Sequence, residues 1–209
     1  GDLTDVIFID AGDEQVLFLV DDGVKGDGIG TVYSLGGSAF NNADLVLGRD
    51  VGATTPAGLA YPVLREDGSP LTNIKMVSAG DSHGIAVDAI TGLVYSWGND
   101  GWNCLTGTSM PNPITNGNRA RKVISGEYKT ISGNDYLTNI RQVSGGRGYT
   151  VAVTMDGYAI SWGGNENNGG NLGSGSAAQN SCTTGPQLLR YNTAGNPIVN
   201  DAVSVSDGD

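Results

Sequence analysis

The chain contains one histidine, His83, and few kinds of chemistry are open to it. A zinc site needs several His, Cys or acidic ligands, and a serine hydrolase needs a Ser-His-Asp arrangement. The sequence places no second His and no suitably spaced acidic pair around His83. We therefore expect His83 to have a structural role rather than a catalytic or metal-binding one.

A candidate calcium site lies in the segment 21–28, where Asp21, Asp22 and Asp27 alternate with glycines. Calcium prefers several oxygen ligands held on a tightly turning, glycine-rich loop. The segment lacks the Asp-x-Asp-x-Asp-Gly spacing and the closing Glu of a typical calcium loop, so a solvated hairpin turn is the alternative. No other cofactor is expected, because the chain has no glycine-rich nucleotide-binding motif.

Two cysteines, Cys104 and Cys182, and four glutamates complete the set of candidate reactive groups. Neither cysteine belongs to a Cys-x-x-Cys motif, which excludes a multi-cysteine metal site within this chain; the pair either forms one disulfide or is unrelated. Paired carboxylates that cleave glycosides are defined by their separation in space. A polysaccharide-acting enzyme is therefore favoured only if carboxylates cluster at the centre of the fold.

Composition limits the fold and the partners. The 209 residues include 34 Gly and 7 Pro, so turns must be frequent, and no apolar stretch is long enough to insert into a membrane. Eleven Lys and Arg stand against 22 Asp and Glu, giving a net charge of −11 with scattered bases. A phosphate backbone requires a basic surface, so nucleic acid is excluded as the expected partner.

The sequence consists of three similar units, and each candidate residue named above has a defined place in one of them. Residues 3–12 align without gaps on 71–80 and on 137–146, and a second strand, a turn and a third strand follow in each unit. Each third strand ends in Gly, a long polar loop then leads to a Leu-Gly pair, and short apolar runs at 61–64, 121–124 and 186–189 close the units. Four short strands per repeat predict an all-β propeller of four-stranded antiparallel blades.

The repeated Ile-x-x-Val-x-x-Gly, His-x-x-Ala-Val and Val-Tyr-Ser-Trp-Gly elements resemble the repeat of the regulator of chromosome condensation family. The match is best in the second unit, where it includes Gly80, His83 and Trp97, and it covers nearly the whole chain. The first unit departs from it, with Gln15 at the His position and Leu35 at the Trp position. The resemblance implies a propeller of roughly seven blades, in which Trp97 and Trp162 pack between blades.

The repeat boundaries predict blade one at 3–70, blade two at 71–136 and blade three at 137–201 of a single partial propeller domain. Residues 202–209 match the start of a blade and predict an orphan first strand of blade four. We expect the chain to be a segment of a longer propeller. The alternative is that identical chains complete the propeller together, by self-association through open edges.

Candidate binding residues lie in the long loops that link the third and fourth strands. They are Trp102, Asn99 and Asp100 in blade two, Phe40 and Asn41 in blade one, and Asn165 and Asn167 in blade three. Trp102 lies outside the repeated framework, where a large amphipathic side chain is either a packing plug or a contact residue. The equivalent loops should lie on one propeller face and form a composite surface.

These features predict a non-enzymatic module that binds a protein or a glycan and belongs to a larger extracellular or cell-surface protein, bacterial in origin. Bacterial secreted relatives of the β-lactamase inhibitor protein II type use the propeller face in this way, and the acidic composition favours them over the nuclear exchange factor. The first alternative is a structural subunit of an extracellular assembly or surface appendage, joined through propeller edge strands. The second is a polysaccharide-acting enzyme.

Overall fold

A computed structural model shows three antiparallel blades of four strands each that follow one another along the chain. A single pairing of Gly30 with Ile74 joins blades one and two into one eight-stranded sheet, and blade three forms a sheet of its own. The structure describes residues 3–24, 26–37, 43–98, 107, 118–164, 172–174, 185–195 and 197–206. Blade one comprises β1 (Val6–Ala11), β2 (Gln15–Asp21), β3 (Gly30–Gly36) and β4 (Tyr61–Pro62). Blade two comprises β5 (Ile74–Ala79), β6 (His83–Asp88), β7 (Val94–Gly98) and β8 (Arg121–Lys122). Blade three comprises β9 (Ile140–Gly145), β10 (Tyr149–Thr154), β11 (Ala159–Gly163) and β12 (Gln187–Leu188).

Helical structure is minor in the described ranges. It consists of α1 (Ala43–Leu47), a 3-10 helix at Gly126–Tyr128 and α2 (Lys129–Ser132). None of the described helices is long or apolar enough to span a bilayer. The predicted fold class, an incomplete all-β propeller of four-stranded antiparallel blades, is confirmed.

The hydrophobic core lies between successive blades, because each blade alternates the side chains of its strands between two faces. Leu17, Leu19 and Val32 of blade one pack against Val77 and other residues of blade two in one buried cluster. A second cluster joins blades two and three in the same way. Trp97 belongs to the first cluster and Trp162 to the second, and both are fully buried. The prediction that these two tryptophans pack between blades is confirmed.

The repeated Leu-Gly pair shapes the contact between one blade and the next tryptophan. Gly48 has φ of +63°, and a Cβ there would lie 2.6 Å from Cδ1 of Trp97. Gly107 stands in the same relation to Trp162, at 2.9 Å. In blade one the turn is held by the hydroxyl of Ser34, which donates a hydrogen bond to the carbonyl of Leu47 at 2.7 Å. The repeat therefore keeps glycine where an indole lies directly on the backbone.

The predicted orphan strand is not formed in the part of it that the structure describes. Residues 202–206 make no strand, and 207–209 lie outside the described residues. The segment nevertheless lies against blade three: the amide of Ala202 donates to the carbonyl of Gly157, and the side chain of Gln142 exchanges two hydrogen bonds with the backbone of Val205. It has no second strand to pair with among the described residues, which explains the missing ladder.

Candidate functional site

The strand directions bring two kinds of connection to one end of the propeller. The tight turns after β1, β5 and β9 lie at this end, and the long connections leave from it at Gly36, Gly98 and Gly163. We call this end the loop face. The short turns between the second and third strands, such as the one that contains Asp21 to Asp27, lie at the opposite end.

The three tight turns converge at the centre of the loop face. A Cβ on Gly12 would lie 1.9 Å from the carbonyl oxygen of Gly80, and one on Gly80 would lie 2.8 Å from that of Gly146. Only glycine permits such close approach of neighbouring backbones. The turns line a cavity of about 720 Å³, the axial cavity, whose walls are residues 10–13, 78–81 and 144–147.

Hydrogen bonds between blades fix the walls of the axial cavity. The carboxylate of Asp10 accepts a hydrogen bond from the amide of Ala79 at 2.8 Å, and the hydroxyl of Ser78 accepts one from the amide of Gly145 at 3.1 Å. Asp10 and Ser78 occupy the same repeat position. The same side-chain to backbone hydrogen bond therefore joins blade one to blade two and blade two to blade three. The cavity walls therefore depend on the blades being in register.

The axial cavity contains more negative than positive charge. Asp10, Asp13 and Asp81 line it together with Arg147, and Glu14 adjoins Asp81. Partial burial raises the pKa of Asp81, and the negative charges of Asp13 and Glu14 and a hydrogen bond with Asp13 act in the same direction. Arg147 opposes the shift in this pKa.

The carboxylates at the centre of the fold bear on the enzyme that the sequence left as an alternative. A cluster of carboxylates does lie at the centre of the fold. This was the observation that would favour a polysaccharide-acting enzyme. However, Asp10 uses one carboxylate oxygen for the amide of Ala79 and the other for the amide of Ala11. Asp10 is therefore committed to backbone amides, and Asp81 is the carboxyl of this cavity whose pKa is raised.

A rigid segment of blade one borders the loop face, and we call residues 48–60 the rim segment. Its organiser is Arg49, which is 2% exposed. The guanidinium donates to backbone carbonyls of the rim segment, including those of Thr55 at 3.1 Å and Leu59 at 3.0 Å, and lies 5.2 Å from the centre of the Tyr61 ring. Burial lowers the pKa of Arg49. The segment is thus held by one buried cation rather than by a strand ladder.

The rim segment is also tied to blade two. Asp50 accepts hydrogen bonds from the side chains of Arg119 at 2.8 Å and Asn118 at 2.7 Å. These bonds lower the pKa of Asp50. Within the rim segment Leu59 keeps 57% of its surface exposed.

The three residues of the candidate calcium site are not brought together. Each carboxylate accepts a hydrogen bond from a backbone amide two residues later: Asp21 from Gly23, Asp22 from Val24 and Asp27 from Ile29. No group of three His, Cys, Asp or Glu side chains in the described part of the chain is arranged to hold a metal ion. The geometry is that of the solvated hairpin turn, the alternative that the sequence left open.

All seven predicted binding residues lie outside the described residues. They are Phe40, Asn41, Asn99, Asp100, Trp102, Asn165 and Asn167, together with Cys104 and Cys182 of the suggested disulfide. The contact role of Trp102 and the disulfide stay predictions. Strands β3, β7 and β11 do end at the loop face, where these loops were expected to begin.

His83 has the structural role expected of it. The side chain is fully buried between blades two and three, and its Nε2 lies 2.8 Å from Oγ1 of Thr150. Burial lowers its pKa to about 4, so the imidazole is neutral at ordinary pH. Gly80 and Gly98 pack against it, and a Cβ on Gly80 would lie 2.2 Å from Cε1 of the ring. A buried neutral imidazole in this setting joins two blades.

Sequence reasoning missed the charged residues of the axial cavity. Asp13, Asp81 and Arg147 occupy one repeat position, the third residue of the tight turn after each first strand. First strands of a propeller converge, so this shared position was the signal that could have revealed them.

Comparisons with known proteins agree with the fold. No family model and no curated protein sequence matches the chain. Among solved structures, human WBSCR16 matches with a TM-score of 0.58 and 20% identity over 91% of this chain and 41% of its own. Prp20p from Saccharomyces cerevisiae matches with a TM-score of 0.59 and 16% identity over 97% of this chain and 41% of its own. A structure of Kap60 bound to yeast RCC1 (Prp20) gives 0.57 and 15%, over 94% and 36%.

The chain therefore spans about two fifths of the length of these proteins. At such identities the likeness shows the fold alone: an RCC1-like β-propeller, of which this chain forms three blades.

Proposed function

We propose that the chain is a non-enzymatic recognition module that binds another protein through its loop face. The observation that carries this proposal is the fixed geometry of that face: the axial cavity and the rim segment are both held by hydrogen bonds between blades. A surface that is ordered before binding loses less entropy when a partner docks. The long connections start from the same face at Gly36, Gly98 and Gly163, and we expect them to contribute to the contact.

The comparisons support a protein partner in general terms. The structure of Prp20p was described together with its binding properties to Gsp1p and histones, and yeast RCC1 was solved with Kap60. Those partners belong to those proteins. We carry over only the use of a propeller to bind protein, and a glycan ligand is the competing outcome of the test below. The extracellular or cell-surface location, in a bacterium, also stays a proposal.

The test compares charge removal on the loop face with the same change at the opposite end. Proteins captured from the native source by the chain are purified and titrated against two double variants, Asp13→Asn with Asp81→Asn, and Asp22→Asn with Asp27→Asn. We expect the first variant to weaken binding by about tenfold or more and the second to leave it unchanged, with both melting normally. Equal effects would refute the loop face, and capture of glycans on an array without protein binding would refute a protein partner.

A tryptophan pair separates contact from stability. Trp102→Ala should weaken binding by about 2 kcal/mol or more while the melting temperature stays close to that of the wild type. Trp97→Ala should lower the free energy of unfolding by about 3–5 kcal/mol, because it empties a fully buried site between blades. If Trp102→Ala melts early while Trp97→Ala melts normally, the contact role of the loop is wrong.

A further inference from the structure

His83 lies directly behind the wall of the axial cavity. The side chain is fully buried, and a Cβ on Gly80, which lines the cavity, would lie 2.2 Å from Cε1 of the imidazole. The same Cβ would lie 2.8 Å from the carbonyl oxygen of Gly146, a lining residue of blade three. The imidazole therefore packs against the point where the tight turns of blades two and three meet.

The imidazole makes one hydrogen bond across this contact. Nε2 lies 2.8 Å from Oγ1 of Thr150 on β10, whereas Nδ1 is buried without a hydrogen-bond partner in the described part of the chain. A neutral ring leaves one nitrogen without a proton, but a protonated ring carries a donor on both. Protonation in place would therefore bury a charge, and would leave a donor without a partner at Nδ1.

No charged side chain among the described residues compensates for that burial. The titratable side chains on the segments next to His83 are Asp81, Arg147 and Tyr149. None of them shifts the pKa of His83, which is lowered by burial alone. The acidic side chains of blade one act on Asp81 instead and raise its pKa. A proton therefore reaches the imidazole most easily when the contact opens to solvent.

The contact around the imidazole contains little apolar surface. It is made by glycine-rich turns and by hydrogen bonds between the blades. The amide of Asp81 donates to the carbonyl of Gly146 at 3.3 Å. The amide of Gly145 donates to Oγ of Ser78 at 3.1 Å. The apolar cluster between blades two and three starts further along the strands, at Ile85 on β6. Regions with few buried apolar contacts open at the lowest free-energy cost, so this end can open while the cluster stays packed.

We propose that His83 makes the loop face acid-sensitive: when its imidazole is protonated, blades two and three separate at the axial cavity and the recognition surface loses its shape. All four strands of both blades that form this contact are described, so the contact is complete. The opening is a property of the chain and needs no partner. Its consequence, the release of a bound protein in acid, rests on the recognition function proposed above.

The two pKa values of the imidazole set the size of the effect. The side chain ionises near pH 6.5 when solvent reaches it, and burial lowers its pKa to about 4 in the closed contact. The open form gains about tenfold for each pH unit between these values, or about 300-fold in all. If about one molecule in 30 is open at neutral pH, about ten are open for each closed one at pH 4, and binding is weakened about tenfold.

Native-state hydrogen exchange of the full chain, followed by NMR, measures the opening. The amide of Asp81 should be protected about 30-fold at pH 7 and should lose protection as the pH falls below 6.5. Dilute urea should leave its exchange unchanged, because a local opening exposes little surface. The matched control is the amide of Val32, which donates to the carbonyl of Leu71 at 3.0 Å between blades one and two. Its exchange should be slower and should depend on urea.

The variant His83→Gln separates the imidazole from the other titratable groups of the cavity. It keeps Asp81 and its neighbours, and Gln15 shows that blade one accommodates a buried glutamine at the same repeat position. In this variant the Asp81 amide should keep its protection in acid. A protein captured from the native source on the immobilised chain at pH 7.5 should bind the wild type about tenfold more weakly at pH 4. This loss should be largely absent from His83→Gln.

Three results would overturn the proposal: equal rates and equal urea dependence for the Asp81 and Val32 amides, unchanged protection of the Asp81 amide in acid, or the same pH response in His83→Gln. Capture of no protein at pH 7.5 would instead refute the recognition function, and the exchange of the Asp81 amide would still decide whether the contact opens. A thermal melt at pH 7.5 shows whether His83→Gln keeps the fold. The exchange of the wild type tests the opening without any variant.

Discussion

Lowering the pH should weaken the contact between blades two and three through His83. The folded protein keeps this imidazole neutral down to a pKa of about 4, because burial disfavours the charged form, whereas the side chain in the unfolded chain ionises near 6.5. Between these two values the unfolded state binds more protons than the folded state. The free energy of unfolding therefore has its full His83 contribution above pH 6.5 and loses it as the pH falls toward 4.

The size of the effect follows from the two pKa values. Each pH unit between them corresponds to 1.36 kcal/mol, so the interval from 6.5 to about 4 amounts to about 3 kcal/mol. That is a large part of the stability of an ordinary domain. Below pH 4 this residue contributes no further loss, since both states are then protonated.

Urea unfolding followed by tryptophan fluorescence measures this effect, because Trp97 and Trp162 are buried between the blades. The free energy of unfolding is determined at intervals from pH 7.5 to pH 4, for the wild type and for His83→Gln. Glutamine is a suitable control because Gln15 already occupies the equivalent buried position in blade one. It cannot ionise, and its amide can still bond to Thr150.

The difference in free energy of unfolding between the wild type and His83→Gln isolates the contribution of the His83 titration. Asp81 works in the opposite direction, since its folded pKa is raised and its contribution to stability is lost as the pH rises, but it is present in both proteins and cancels. The curves should diverge by about 3 kcal/mol between pH 6.5 and 4, with the wild type losing more stability. Parallel curves across this range would refute the assignment of the titration to His83.

Three further changes test the packing and the loops. Gly48→Ala should cost about 2–4 kcal/mol of stability because its Cβ meets Trp97 in a left-handed backbone conformation, while Gly52→Ala, whose Cβ has only Thr55 Oγ1 nearby at 3.9 Å, should be close to neutral in the same thermal melt. Glu127→Ala should lower the free energy of unfolding in urea by about 2 kcal/mol, because Glu127 pairs with Arg190 and accepts a hydrogen bond from the amide of Leu188. Glu66→Ala is the control: it removes an exposed ion pair with Arg121 and should change this free energy little. Thiol labelling without reductant should leave Cys104 and Cys182 unmodified if they form the predicted disulfide, and modification of both in the native protein would count against it.

The sequence predicted the blades because apolar side chains recur at the same places in all three repeats. Ile74, Val77 and Ala86 of blade two have apolar counterparts in blades one and three, and all three are buried. The fourth strands were harder to place, since β4, β8 and β12 have only two residues each. Gln187 pairs with Ser161 as Tyr61 pairs with Ser34, so the run predicted at 186–189 begins one residue too early. Two residues show no periodicity that could fix a register.

The candidate site was predicted less completely than the fold. Attention went to the long loops, because polar and aromatic residues outside a repeat suggest contact with a ligand. The axial cavity instead arises from three turns that are far apart in sequence, and the pKa of Asp81 depends on Asp13 and Glu14 of another blade. A single carboxylate in a tight turn carries no sign of such neighbours. Only the convergence of the first strands brings these charges together.

The three repeats share their packing residues and differ in their polar ones, and these differences give each interface its own properties. Between blades two and three, His83 faces the hydroxyl of Thr150. Between blades one and two, Gln15 holds the position of His83, and the counterpart of Thr150 is Gly84, so the Gln15 amide finds no hydrogen-bond partner in the described part of the chain. A buried polar atom without a partner weakens its interface at every pH, and Nδ1 of His83 is one as well, but only the imidazole adds a further loss in acid. Mild acid should therefore loosen blade three from blade two before it affects the contact between blades one and two.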